Sequence, residues 1–405
     1  MTFMTKINKI ILSIKRKTLV YDIWYKIYIS MRFFKLLNFF LPFLKIRNNK
    51  IVFCSFHGCD YSCNPKYITE EFIRQNVNCE LVWLLDKKKV HDISSFPKQV
   101  RIVDYCSVQA FFELATAKVW IDNCRKYFFP NKKKNQYYFQ TWHGNIGLKK
   151  CEKDVIDKLS KLYIKNAKDD AAITDFCISN SSHISNLYLK SFWYPDNIEI
   201  LKYGSPRNDI LVNNTDLNHI KKNLFIDQDI KVLLYAPTFR RDYSVDMYSI
   251  DYKEIINMLK NKYNCEWKIL LRLHPNMIKI KHKTDILEDV INVSMYPDVQ
   301  ELMGITDILI SDYSSLMFDF MFTRKPCFIF ATDYESYKED RDVYFDLNET
   351  PFPVAQNNEK LLDNIEYFSP EEYYKKIHKF IERVDCIENG NASQMVVKKI
   401  CELIK

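Results

Sequence analysis

Glycine is scarce in this chain, with six residues in 405, where about 7% is ordinary. Neither GxGxxG nor GxxxxGK followed by Ser or Thr occurs, so the standard dinucleotide fingerprint and the P-loop are excluded. The glycines present are Gly58, Gly144, Gly147, Gly204, Gly304 and Gly390, and they are expected where the backbone needs them. Twelve cysteines are scattered without one CxxC pair. That excludes a zinc ribbon or thioredoxin-type site and points to a reducing compartment. Near the N-terminus the longest charge-free apolar run is 36–44, far short of the roughly 20 residues a spanning helix needs. No clean apolar core with a small-residue cleavage site marks a signal peptide. Acidic residues are almost missing from positions 1–50, where Asp22 stands against eleven Lys or Arg.

That imbalance holds the whole basic excess: the net charge is +8 and residues 51–405 sum to −2. Among the N-terminal charges lie Trp24, Tyr25, Ile27, Tyr28, Phe33, Phe34, Phe39, Phe40 and Phe43. The pattern reads as a basic amphipathic helical segment on an anionic membrane surface, attached through residues 1–45. The rival reading is a helical subdomain packed on the core with a solvated basic face. No RNA- or DNA-binding module is recognisable, so no nucleic-acid partner is expected. Hydrophobic residues make up 47% and charged residues 27%, enough to bury sizeable cores in two or three domains.

Past residue 50 the pattern alternates strand with helix. Apolar runs at 50–56, 80–85, 100–103, 119–122, 137–142, 175–179 and 198–201 read as strands, with helices at 67–76, 107–117 and 181–190. The second half repeats this: strands at 231–235, 267–273, 290–292, 308–310 and 326–330, and helices at 252–262, 299–305 and 316–323. Short apolar strands followed by helices imply parallel, doubly wound sheets. The expected architecture is α/β: two Rossmann-like domains, 51–212 and 213–375, facing a central cleft. The basic segment 1–50 precedes them, 212–229 links them, and a C-terminal helix within 376–405 crosses them. Ligands of such sheets bind at the carboxyl ends of the strands.

At those strand ends stand His143 and Gly144 after 137–142, Thr238 and Arg240 after 231–235, and Arg272 and His274 after 267–273. Ser311, Asp312, Ser314 and Ser315 follow 308–310. An imidazole titrates near pH 6.5 and can accept a hydroxyl proton. Serines ahead of a helix and nearby arginines suit phosphate oxygens. Each feature has a plainer reading. Ser-Asp-x-Ser-Ser is also an ordinary N-cap, His143 beside Trp142 also fits a satisfied core histidine, and His274 before Pro275 also fits a strand end. His57-Gly58 is a weaker copy of the pattern. The functional reading rests on their recurrence at one topological place.

Several segments resemble, in order, the motif series of the CDP-glycerol glycerophosphotransferase family, the teichoic-acid and capsule polyol-phosphate transferases. They are Trp142-His143-Gly144 with Leu148-Lys149, Tyr235-Ala236-Pro237-Thr238-Phe239-Arg240, Leu271-Arg272-Leu273-His274-Pro275, and Ser311-Asp312-Tyr313-Ser314-Ser315 with Asp319-Phe320. The segment after His143 departs from the commoner His-Gly-Thr-Pro-Leu-Lys: it reads His-Gly-Asn-Ile-Gly-Leu-Lys, one residue longer and without proline. The resemblance implies a GT-B fold and a membrane-associated N-terminus at the cytoplasmic face. The implied reaction moves a polyol phosphate from CDP-glycerol, or CDP-ribitol in relatives, to a hydroxyl of a lipid-linked glycan, releasing CMP. It casts His143 as general base, His274 with Arg272 as stabilisers of the leaving diphosphate, and Ser314 and Ser315 as phosphate holders. No cofactor is required and no metal site is expected. A GT-B glycosyltransferase using a nucleotide sugar, and a non-catalytic membrane-bound assembly factor, are the rivals.

Overall fold

The computed structural model describes residues 37–90, 93–105, 107–127, 129–238, 250–273, 288–335, 337 and 342–405. Of the basic segment expected over 1–50, residues 1–36 therefore lie outside the described residues, and residues 47–50 are not part of a separate segment but begin the first sheet's strand Arg47–Cys54.

Apolar strand residues are buried on both faces, and this dictates a layered α/β arrangement. The first sheet holds β1 (Arg47–Cys54), β2 (Glu80–Leu85), β3 (Val100–Asp104), β4 (Ala117–Asp122), β5 (Tyr137–Gln140), β6 (Phe176–Ser179) and β7 (Glu199–Lys202). Their order is β3-β2-β1-β4-β5-β6-β7, and every pairing is parallel. The second holds β8 (Lys231–Ala236), β9 (Trp267–Leu271), β10 (Val290–Asn292), β11 (Ile308–Ser311), β12 (Cys327–Phe330) and β13 (Val354–Ala355). It is ordered β10-β9-β8-β11-β12-β13 and is also all parallel.

The helices are α1 (Cys63–Arg74), α2 (Val108–Thr116), α3 (Lys161–Ile173), α4 (Ser182–Ser191), α5 (Asp209–Val212), α6 (Asn218–Asn223), α7 (Tyr252–Tyr263), α8 (Val299–Ile305), α9 (Leu316–Phe320), α10 (Asn358–Glu366), α11 (Pro370–Val384) and α12 (Ala392–Ile404). Strand periodicity sorts the cores. On β1, Ile51 and Phe53 face α1 and α12 with Trp83, while Val52 and Cys54 face α2 with Trp120. On β8, Leu233 and Tyr235 face α7 and α10, while Val232 and Leu234 face α8, α9 and α11.

Three expectations need correction. The strands expected to end at 142 and 273 end at Gln140 and Leu271. In the first case Trp142 turns to φ +52°, and its N–H is taken by the Gln140 side chain at 2.9 Å. Residues 212–229 are not a bare linker, because α6 lies there with Ile220 buried. The C-terminal segment is two helices rather than one crossing both halves. Asp385 adopts a left-handed conformation that stops α11. Tyr373, Ile377 and Phe380 of α11 then pack on the second sheet, and Val396, Val397 and Ile400 of α12 on the first.

Candidate active site

The carboxyl ends of both sheets open on one cleft. Phe56, Asp60 and His143 line it from the first sheet's loops, Arg207 from the turn after β7, and Arg272 from the end of β9. Asp298, Gln300, Ser314, Ser315 and Asp319 complete it from the second half. The structure thus brings His143, Arg272, Ser314 and Ser315 together. Ser311 and Asp312 do not line the cleft. The Ser311 hydroxyl donates to the Ala236 carbonyl at 2.7 Å. The Asp312 carboxylate accepts from the N–H groups of Tyr313 and Thr238, so it shapes the loop after β8. Arg240 and His274 lie outside the described residues. Gly144 sits beside the Trp142 indole.

His143 is held from both sides. Its ring stacks on Trp142, with centroids 4.6 Å apart, and meets the edge of Phe56. Its Nδ1 is 2.7 Å from the Asn123 main-chain oxygen. A carbonyl only accepts, so this bond places the proton on Nδ1 and leaves the Nε2 lone pair free. Burial pushes the imidazole down to about 4, with Arg207 and His57 adding to it against the Asn123 carbonyl. The ring is therefore neutral at pH 7, the form that accepts a proton.

The segment after His143 crosses into the other half. Ile146 and Leu148 are buried in the second sheet's core. Lys149 bridges Val343, and the Tyr344 N–H donates to the Leu148 carbonyl at 2.7 Å. Asn145 donates to Asp319 on α9. Arg207, 4% exposed, donates through Nη1 to the His143 carbonyl at 2.6 Å and pairs through Nη2 with Asp319 at 2.7 Å.

Arg272 donates Nη1 to the Tyr296 carbonyl at 2.6 Å, which aims the guanidinium along the cleft wall. The Ser314 hydroxyl accepts from the Leu316 N–H at 3.3 Å. Ser315 occupies the N-cap position of α9 without making a side-chain cap bond. Asp60 has no hydrogen-bond partner among the described residues, and burial pushes its carboxyl up to about 6 against the pull of Arg272. His57 stacks on Tyr127 at 4.9 Å rather than lining the cleft, with its pKa lowered to about 4 by burial. Gly58 beside it has φ +82°, and a Cβ there would sit 2.8 Å from the Asp86 nitrogen.

Sequence reasoning missed Asp60, Arg207 and Asp298. Arg207 carried a usable signal, because it follows the Gly204-Ser205-Pro206 turn at the end of a strand. Among the described residues no group of three or more His, Cys, Asp or Glu could hold a metal ion.

Residues 34–402 match the model of the CDP-glycerol:poly(glycerophosphate) glycerophosphotransferase family. A teichoic acid poly(glycerol phosphate) polymerase of Staphylococcus epidermidis is 32% identical over 89% of this chain and 51% of its own. The teichoic acid glycerol-phosphate transferase of Staphylococcus aureus is 31% identical over 88% of this chain and 92% of its own. A poly(ribitol-phosphate) polymerase of Bacillus spizizenii is 27% identical. A solved structure of the wall teichoic acid polymerase TagF superposes with TM-score 0.81 at 29% identity, covering 97% of this chain and 98% of that one. The chain spans about half the length of the first two polymerases it matches. It belongs to the CDP-glycerol:poly(glycerophosphate) glycerophosphotransferase family.

Proposed function

We propose that the protein transfers glycerol phosphate from CDP-glycerol to a hydroxyl of a lipid-linked or polymeric cell-surface glycan, releasing CMP. The observation that carries this reading is the shared cleft. A neutral imidazole from one sheet faces an arginine and a serine pair from the other. The halves then act as a GT-B pair, the first binding acceptor and the second nucleotide. The acceptor oxygen attacks the phosphorus that bears glycerol, and its proton passes to Nε2 of His143. The bond to the bridging diphosphate oxygen breaks, and CMP leaves with the charge. Arg272 offsets that charge, a role the motif resemblance extends to His274 and the sequence to Arg240, and Ser314 and Ser315 hold phosphate oxygens. Positioning and charge stabilisation carry the step, so no cofactor or covalent intermediate is needed.

Glycerol is favoured over ribitol because the glycerol-phosphate relatives are the more similar. We place the protein at the cytoplasmic face of the membrane, held by its basic N-terminal segment. No helix among the described residues is long and apolar enough to span a bilayer. Incubation with CDP-glycerol, CDP-ribitol and nucleotide sugars, with the released nucleotide identified by mass spectrometry, tests the reading. CMP from CDP-glycerol is expected. A nucleoside diphosphate from a sugar donor instead would make it a glycosyltransferase, and no release from any donor would leave a non-catalytic assembly factor.

A further inference from the structure

We propose that Arg207 and Asp319 are positioning residues for His143, locking its imidazole in register with the Ser314–Ser315 turn of the opposite half. The proposal rests on the transfer reading above and deepens it.

The geometry is specific. The segment from His143 to Lys150 leaves the first sheet and is anchored in the second half's core by Ile146 and Leu148, so relative movement of the halves would drag the imidazole away from Asn123. One guanidinium opposes this at both ends. Its Nη1 fixes the His143 carbonyl, and its Nη2 fixes a carboxylate on α9, four residues after Ser315. A planar fork can hold two acceptors at a set angle, which a lysine cannot. The Arg207 main chain is itself tied down, since its N–H donates to Asn64 Oδ1 at 3.0 Å. The amide of Asn64 in turn donates to the Trp142 carbonyl at 3.0 Å, one residue before the imidazole.

Asp319 acts as the hub on the other side. Its carboxylate, 1% exposed, also accepts from Asn145, Asn208 and Gln300. The backbone at His143 and the side chain of Asn145 are therefore both referred to one carboxylate on the helix that follows the serine pair. The charged or titratable neighbours that act on the imidazole are Arg207 and His57, and the Cys124 thiol lies 3.6 Å from Nδ1. Only Arg207 among these also reaches the second half. In a transfer step a misplacement of about 1 Å can cost on the order of 10²-fold in rate, so the coupling is where the two halves set the reacting distance.

The test compares Arg207→Lys, Asp319→Asn and the double variant in the full chain. Steady-state kinetics with CDP-glycerol, CMP binding by calorimetry and ring-¹⁵N spectra of the histidines are recorded. The expected result is a kcat fall of about 10²-fold with KM for CDP-glycerol and CMP affinity within a few-fold of wild type. The double variant should be no worse than the more damaged single one, and the Nδ1–H signal of His143, assigned by its loss in His143→Asn, should broaden or vanish. Unchanged kcat with the ring signal intact, or kcat and CMP affinity falling together, overturns the proposal. Asp319→Asn keeps the size of the side chain while removing its charge and one of its two acceptor oxygens, so it loosens the hub without emptying the site and remains informative where Arg207→Lys fails to fold. The ring signal reads positioning even if wild type releases CMP from no donor, an outcome that would refute the transfer reading alone.

Discussion

Asn123 holds His143 with its main chain and Phe56 with its side chain. The carbonyl sits 2.7 Å from the imidazole Nδ1, and Oδ1 accepts the Phe56 N–H at 2.8 Å. One residue at the end of β4 thus fixes both the tautomer of the imidazole and the loop that leads to Asp60. Two measurements follow. His143→Ala should lower kcat by about 10²–10⁴-fold, the usual worth of a general base, with little change in thermal stability. The acid limb of kcat/KM should fall below pH 6, because burial holds the imidazole near 4 rather than at the ordinary value of about 6.5. A limb at 6.5, or a variant with full turnover, would remove His143 from the proton transfer.

Lys66 on α1 is nearly buried and reaches across to Asp298 at 2.7 Å and to Glu301, while the Tyr67 hydroxyl donates to the same Asp298 at 2.8 Å. Desolvating three charges is costly, so the cluster is poor evidence of net stability. Breaking it is another matter. Lys66→Met leaves two carboxylates without their cation, and a loss of about 3–5 kcal/mol is expected in urea unfolding. A loss under 1 kcal/mol would mean water already reaches the cluster.

Much of this arrangement was legible in the sequence, for identifiable reasons. The strands over Glu80–Leu85 and Val290–Asn292 and the helix over Val299–Ile305 are bounded by clear changes of hydrophobic period, and their limits agree with the structure. The helix Lys161–Ile173 was invisible because only Ala167, Asp170 and Ala171 of it are buried, leaving no apolar stripe to read. His143, Arg272, Ser314 and Ser315 could be singled out because each follows a strand, and parallel sheets put strand ends on one side. Ser311 and Asp312 share that position, yet Ser311 donates to the Ala236 carbonyl at the end of β8 and Asp312 accepts from the Thr238 N–H just beyond it. Nothing local distinguishes them from Ser314, since the difference is the direction of a turn. The pairing of Arg207 with Asp319 joins residues from different halves and has no period or spacing to reveal it.

Glu388 lies in the connection between α11 and α12 and accepts from the Ser205 N–H at 3.0 Å and from the side-chain amides of Asn180 and Asn208. Burial pushes its carboxyl up to about 8, despite those donors. In the unfolded chain the same group titrates near 4.3. Between these values the native state keeps a proton that the unfolded state has released, so stability falls as pH rises from about 4.5 to 8. Glu388→Gln removes the titration. Its stability relative to wild type should therefore improve steadily from pH 5 to pH 8.5 in denaturant titrations. A constant difference over that range would show that Glu388 is ionised throughout.

The short helical turn Asn38–Phe43 is the described residue stretch nearest the basic N-terminal segment. Leu37 and Leu41 pack against Phe111 and Ala115, which fixes the turn to the first half. Phe39, Phe40 and Phe43 point the other way and are 75%, 50% and 75% exposed. Three neighbouring aromatic rings left in water gain by entering a headgroup region, and the adjoining positive charge favours anionic lipid. Because the rings make little contact with the core, replacing all three by serine should leave the melting temperature within about 2 °C. Binding to vesicles containing anionic lipid should weaken at least tenfold, measured by co-sedimentation. Equal binding would assign the membrane contact to residues 1–36 alone, and a collapse in stability would mean the rings are covered by protein.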